Sequence, residues 1–369
     1  MENPNSFVIL ISSLNAGGAQ KTLQELCESE GLKSKKIRLI VTSLKSSRTF
    51  FEFGENVEIV YMQDIISPST GWLVFLYKLL KVRALILEAN PKIVISFLTN
   101  TNVLTLISCT FTGIKVVVCE RTFPAKSKAH FILLLGRYLL YRYSSCVIVQ
   151  TERGRIWLEN NIPGVTTAVI PNSVSFPLPQ PTEQEIQSPI RDHGVFIFAL
   201  GRMIADKGFS DIIHCLSDIL QSGKEVSLVI GGDGPVRHAL QKLAFDLGCQ
   251  NNVFFPGEIE YPSVWFQQQP IFVLSSYREG YPNVLLEAMS YGCPSVAYNC
   301  ETGPAEIIED QINGILVEVG NKANLSQAIK SLLGNKDLQE KISVEAVKVR
   351  ETHSPEKIVD MWREVIDAD

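Results

Sequence analysis

The sequence predicts two doubly wound α/β domains in series, and three observations carry that expectation. Short β-branched runs alternate with helical stretches twice over, the pattern of a parallel sheet with crossover helices. A proline-rich polar break separates the two series. Glycine turns directly follow several of the strands. The length of 369 residues agrees, because single cores stop growing at roughly 250–300 residues.

The first series occupies residues 1–176. Residues 7–12 are apolar and β-rich, a glycine turn follows at 15–18, and 22–30 read as helix. Further strands are expected at 37–42, 57–61, 93–97, 116–119 and 146–150. Residues 177–193 carry Pro177, Pro179, Pro181 and Pro189 among polar residues, and form the expected linker. The second series, 194–354, has strands at 195–200, 227–230, 253–255, 271–275 and 295–298. In the last segment, 355–369, Ile358, Met361, Trp362, Val365 and Ile366 share one helical face. Such a stripe is expected to fold back on the first domain. Ligands of sheets like these bind outside the carboxyl ends of the strands. Two such domains facing each other would enclose a deep cleft.

Hydrophobic content of 46% and charged content of 20% fit a globular protein with a large core. The eight cysteines have no metal-ligand spacing and no Cys-x-x-Cys pair, so they read as buried thiols in a reducing compartment. No signal peptide is evident, and no apolar run reaches the ~18 residues of a spanning helix. Charge is unevenly placed. Residues 1–175 hold 19 Lys and Arg against 12 Asp and Glu; the remainder hold 15 against 27. The basic half suggests an anionic partner. Residues 73–87 and 131–142 mix large apolar side chains with Lys78, Lys81, Arg83, Arg137 and Arg142. These segments fit helices lying in a membrane interface, which favours a membrane over nucleic acid. They fit equally a pair of core helices with snorkelling basic residues.

The most informative stretch is REGYPNVLLEAMSYGCP. Glu279 precedes Gly280, Tyr281 and Pro282 on a loop; Asn283 and Val284 open a helical pattern, with Pro282 read just inside the helix start. Glu287 falls about one turn in. A helix N-terminus of this kind favours a diphosphate, and carboxylates beside it suit the hydroxyls of a sugar or a ribose. After the strand at 195–200, Arg202 and Lys207 offer a guanidinium fork and a mobile ammonium to the same anion. Gly17 and Gly18 follow the first strand and permit close backbone approach, but no G-x-G-x-x-G is present. Glu120 and Arg121 follow another strand end, as do Thr99, Asn100 and Asn102, which suit a polyhydroxylated molecule or simple loop capping.

Taken together, LNAGGAQKTL, PNSV at 171–174, GRMIADKG, IGGDGP at 230–235, FPG at 255–257, EGYPNVLLEAMSYGCPSVA and ETGPAEII resemble the family 4 retaining glycosyltransferases of the GT-B fold. The resemblance implies two Rossmann-like domains facing a cleft, with the C-terminal helix returning to the first. It implies that Gly18 admits the diphosphate of a nucleotide-sugar and that Arg202 and Lys207 bind and stabilise it as it leaves. Glu279 would contact donor-sugar hydroxyls, Gly280 to Asn283 would hold phosphate and sugar, and Glu287 would bind the ribose. Gly232 belongs to the same donor-side loops; Pro256 and Gly257 would border the base. CERTFP and NCETGPAEII look most like bacterial α-N-acetylgalactosaminyl- and galactosyltransferases of lipid-linked glycan assembly. Departures are Ser173, Gln20 and the absence of any histidine before His130, whose usual role in the first domain passes to Glu120 or Arg121.

The expected reaction moves a hexose, N-acetylgalactosamine or galactose, from a UDP-sugar to a hydroxyl of a glycan or lipid-linked acceptor, with retention. No Asp-x-Asp motif appears, so no metal or other cofactor is expected. The expected location is cytoplasmic, peripheral on the inner face of the cytoplasmic membrane. The alternatives are a sugar-nucleotide epimerase of the same fold, which would need no acceptor, and a catalytically inactive membrane-bound partner in glycan assembly.

Overall fold

Nearly every strand is short, apolar on both faces and parallel to its neighbours, as sheets covered by helices on both sides must be. The computed structural model describes residues 6–15, 18–44, 52–66, 71–126, 129–181 and 195–368. Gly17 and most of the expected linker, 182–193, lie outside the described residues. The chain divides into two compact units, residues 1–173 with 355–369, and residues 174–354.

The first unit holds β1 (Ser6–Ile11), β2 (Lys36–Val41), β3 (Val57–Tyr61), β4 (Ile93–Phe97), β5 (Lys115–Cys119), β6 (Cys146–Val149) and β7 (Thr167–Val169), in the order β3-β2-β1-β4-β5-β6-β7. Alternate side chains feed two cores. Ile9, Leu39, Ile95 and Val117 face the helix Gly18–Glu28, while Val8, Ile40, Val94 and Val118 face the helices Trp72–Ala89 and Thr99–Ser108. The helix Pro355–Asp367 completes the first of these cores with Ile358, Trp362 and Ile366, spaced by four residues on one stripe. Trp362 lies against Phe97, with ring centroids 6.0 Å apart. Lys92 pairs with Asp367 at 2.7 Å, and Lys115 donates to the carbonyl of Ala368.

The second unit holds β8 (Phe196–Leu200), β9 (Ser227–Gly231), β10 (Val253–Gly257), β11 (Ile271–Leu274), β12 (Ser295–Tyr298) and β13 (Ile315–Val317), ordered β10-β9-β8-β11-β12-β13. One face packs on the helices Phe209–Gln221 and Lys322–Gly334, the other on Asn283–Ser290 and an aromatic group of Phe198, Trp265, Phe266 and Phe272. The fold is therefore α/β with two Rossmann-like sheets. The strand order reverses between β1 and β4 in one sheet and between β8 and β11 in the other. Those are the switch points beside which ligands of open α/β sheets bind.

β7 and β13 were not expected from the sequence. Each has three residues and closes one end of its sheet. The helix read at 22–30 starts earlier, at Gly18, and breaks at Ser29. Pro282 is the N-cap rather than the first helical residue. No helix among the described residues is long and apolar enough to cross a membrane.

Candidate functional site

The β8/β11 switch point brings together the residues that the sequence singled out most strongly. Past β8 the chain makes a single 3-10 turn, Ala205–Lys207. Past β11 it runs through Ser275 to Pro282 before the helix Asn283–Ser290 begins. Lys207 Nζ and Glu279 Oε1 meet across the two strand ends at 2.7 Å. The pair is shielded, with side chains 21% and 11% exposed, so its charge-assisted hydrogen bond is little screened by water.

Backbone ties hold the two loops in register. Ser275 Oγ donates to the carbonyl of Lys207 at 2.8 Å, and the amide of Tyr277 donates to the carbonyl of Asp206 at 2.8 Å. Arg278 pairs with Asp206 at 2.7 Å. Beneath them Asp211 accepts from the phenols of Tyr277 at 2.6 Å and Tyr298 at 2.9 Å. That hydrogen bond, helped by burial, pushes the Tyr277 phenol up to about 12. Behind Glu279, Thr302 Oγ1 donates to its carbonyl at 2.7 Å. Gly303 follows at φ +98°, where a Cβ would sit 2.8 Å from Pro282 Cδ and 3.0 Å from the carbonyl of Gly280. Only glycine lets the 302–303 turn back the Glu279 loop this closely. Asp211, Thr302, Gly303 and His353 are positioning residues that the sequence reading did not assign. Thr302 and Gly303 lie inside the ETGPAEII stretch, so a signal existed; Asp211 is one acidic residue on an amphipathic helix and had none.

The helix Asn283–Ser290 starts without a side-chain cap, leaving its positive end for an anion. Gly280, Asn283, Val284 and Glu287 are half-buried, and Arg202 is exposed with no ion pair among the described residues. Tyr281 turns inward: it is 8% exposed, with its hydroxyl 2.6 Å from His353 Nε2. Only its backbone faces the loop's function. Gly232 follows β9 and sits so close to Gly201 that a Cβ would fall 2.1 Å from that carbonyl. Its amide donates to the carbonyl of Gly257 at 2.6 Å, which places Gly201, Gly232 and Gly257 in a row across the ends of β8, β9 and β10. Pro256 is exposed beside that row.

The first unit places the remaining candidate residues. Glu120 is 2% exposed, and both its oxygens are occupied: Thr99 Oγ1 donates at 2.9 and 3.0 Å, and Tyr141 donates through its hydroxyl. Burial raises its carboxyl above the usual range. Asn102 is fully buried, accepts from Ser96 at 2.9 Å, and donates to the Cys119 carbonyl and Tyr141 at 3.0 Å. Thr99, Asn102 and Glu120 thus form a buried hydrogen-bonded network beside the β1/β4 switch point. Asn100 is exposed, and Gly18 is exposed at the start of its helix. Arg121 is 7% exposed; it donates to Thr22 at 2.6 Å and to Asn172, while burial holds its guanidinium down at about 10. Its Nε and Nη1 are buried without a partner among the described residues.

Residues 181–349, which lie within the second unit, match the family model described as glycosyl transferases group 1. The chain is 24% identical to an uncharacterized glycosyltransferase of Haemophilus influenzae over 99% of its length and 100% of that protein's. It is 29% identical to an uncharacterized glycosyltransferase of Methanocaldococcus jannaschii over 64% of its own length and 62% of the relative's, less than two thirds of that protein. Among solved structures, Anabaena Alr3699/HepE in complex with UDP superposes with TM-score 0.81 at 19% identity, covering 98% of this chain and 99% of the other. The apo lipopolysaccharide outer core galactosyltransferase WaaB superposes with TM-score 0.78 at 18% identity, covering 98% and 99%. At these identities the two structures establish a shared GT-B fold.

Proposed function

We propose that the protein is a retaining, family 4 type glycosyltransferase that moves a hexose from a UDP-sugar to a hydroxyl of a glycan or lipid-linked acceptor in bacterial surface-glycan assembly. The observation that carries this reading is the Lys207–Glu279 pair at the β8/β11 switch point, beside an uncapped helix N-terminus and the exposed Arg202. A diphosphate placed there meets an ammonium, a guanidinium and a helix dipole. The choice of UDP draws on the Anabaena neighbour solved with UDP, and the surface-glycan setting on the lipopolysaccharide galactosyltransferase neighbour. N-acetylgalactosamine or galactose is the sugar favoured by CERTFP and NCETGPAEII.

In this reading the acceptor oxygen bonds to the anomeric carbon as that carbon's bond to the β-phosphate oxygen breaks. Attack comes from the face the leaving group departs, so configuration is retained. The hydroxyl proton passes to the departing diphosphate. Lys207, Arg202 and the helix amides stabilise the charge that develops on UDP, the interaction that lowers the barrier. Glu279 binds sugar hydroxyls and Glu287 the ribose; Gly18, Gly232, Pro256 and Gly257 border the rest of the donor. On this reading the protein works at the inner face of the cytoplasmic membrane and needs no divalent ion. The test is a panel of UDP-sugars scored for released UDP, with and without EDTA. Turnover of one UDP-hexose that survives EDTA is expected. Loss of turnover with EDTA removes the metal-free mechanism, formation of an epimer from donor alone replaces transfer with epimerisation, and failure to bind UDP overturns the donor site.

A further inference from the structure

Two helices of the first unit carry large apolar side chains on the side turned away from the core as well as on the side that packs on it. In Phe131–Leu140 the one buried side chain is Arg137, while Phe131, Ile132, Leu135, Tyr138 and Leu139 are 46–68% exposed. In Trp72–Ala89 only Val82 and Ile86 are buried, and Trp72, Leu73, Phe75, Leu80 and Leu87 are 48–73% exposed. A helix that docks on a sheet normally turns its apolar stripe inward. Here positions 73, 76, 80 and 87 on one helix, and 131, 135 and 138 on the other, form outward stripes at helical spacing.

The two stripes belong to one surface. Both helices flank Thr99–Ser108, whose side chains are buried almost throughout. Gly136 brings one of them close: a Cβ there would lie 2.9 Å from Val103. Arg83 clamps the other, donating to the carbonyls of Ser108 and Thr110 at 2.8 Å. That clamp holds the turn that carries Phe111, fully exposed at φ +60°. A bulky side chain in the left-handed region costs energy, and among the described residues none of its own unit covers this one.

We propose that this surface docks on a bilayer interface containing anionic lipid. The charges of this surface decide for a membrane rather than a second copy. Lys78, Lys81 and Arg142 are interleaved with the apolar side chains, and Lys81 and Arg142 lie over the rings of Tyr77 and Tyr138. No acidic residue occurs in Phe131–Leu140, and Glu88, the one acid of Trp72–Ala89, is tied to Arg38 at 3.1 Å. A like-charged copy would bring these cations against their own kind. Anionic headgroups neutralise them while Trp72, Tyr77, Tyr138 and Tyr143 take the headgroup level and Leu, Ile and Phe the acyl boundary. The stripes are read from surface exposure alone, independently of any glycosyl transfer.

Trp72 is a built-in reporter, since Trp265 and Trp362 are buried and Trp157 is half-buried. The test mixes the full chain with vesicles of phosphatidylglycerol and phosphatidylethanolamine, or of phosphatidylcholine alone, and reads flotation and tryptophan emission. Binding to the anionic vesicles, a blue shift that disappears in Trp72→Leu, and weakening by salt are expected. The triple variant Leu73→Gln, Leu80→Gln, Leu135→Gln changes exposed positions only, and should melt as wild type while losing about 30-fold or more in vesicle affinity. No flotation with anionic vesicles, flotation untouched by the triple variant, or a concentration-dependent dimer that vesicles do not dissociate would each overturn the proposal. Binding to phosphatidylcholine as strong as to phosphatidylglycerol would overturn the role given to the basic side chains.

Discussion

Replacing Lys207 by alanine tests the proposed site most directly. The ammonium lies 2.7 Å from a Glu279 carboxylate that is 11% exposed, and is itself 21% exposed. Two effects follow and separate experimentally. Without the ammonium, Glu279 keeps a shielded charge with its strongest partner gone, which costs about 1.5–3 kcal/mol of the stability of the second unit. Catalysis loses more. A preorganised charge donor aimed at the leaving group is worth about 10²–10³ in kcat, or roughly 2.7–4 kcal/mol. Shielding from water puts Lys207 in the upper part of that range. Glu279→Ala should lose at least ~100-fold as well. Because the two side chains are bonded to each other, the double variant should lose less than the product of the single losses, by a coupling of about 1 kcal/mol or more. The assay is UDP release at saturating donor and acceptor, with a thermal melt on each protein to verify folding. A folded Lys207→Ala enzyme within about threefold of the wild-type rate would remove Lys207 from the chemistry; strictly additive losses would refute a shared donor site.

Three further outcomes test the packing of the two units, each taken by itself. Gly303→Ala should lower the melting temperature of the second unit and weaken UDP binding together, since its φ of +98° and 2.8 Å approach to Pro282 leave no room for a methyl group; isothermal titration and a melt check both. Trp362→Ala should destabilise the first unit by about 3–5 kcal/mol, but Trp362→Phe by much less, because the buried indole Nε1 has no partner among the described residues and its removal relieves that cost; urea unfolding distinguishes them. Burial raises the Glu120 carboxyl above its unfolded 4.5, so its contribution is most favourable below pH 4.5 and declines as pH climbs toward the folded value; the melting temperature of Glu120→Gln relative to wild type should therefore rise across that window, and a flat difference would contradict it.

Much of this molecule was legible because its signals are local. Strands such as 57–61, 93–97 and 295–298 are runs of β-branched residues between turns, and their limits agree with the structure. The stripe of Ile358, Trp362 and Ile366 announced a helix that needed a partner, and the first unit supplies it. β7 and β13 escaped because three residues carry no periodicity and an end strand needs little apolar surface. The meeting of Lys207 and Glu279 was approachable because each follows a strand, though which strands are neighbours is a property of topology. The internal partners of Glu120 and Asn102 were not legible for the opposite reason. A polar residue just past a strand looks the same in sequence whether it faces a ligand or closes a network, and Tyr141, the partner of both, lies 21 residues past Glu120 and 39 past Asn102. The 73–87 and 131–142 segments left two readings open, since composition does not say which side of a helix meets the sheet.

The last helix of the chain belongs to the first sheet, and this sets an order of events during synthesis. Residues 1–173 leave the ribosome with the floor of one core, around Phe97 and Leu26, lacking the side chains of Ile358, Trp362 and Ile366. The intervening 174–354 form a unit of their own and can close without waiting. At about 5–20 residues per second, the earlier half stays open for roughly ten to forty seconds after its own strands are made. The half born first is thus the half finished last. A nascent chain stalled before residue 355 should be cut by protease within 1–173 while 174–354 resist, and equal resistance of both would show that the last helix is dispensable.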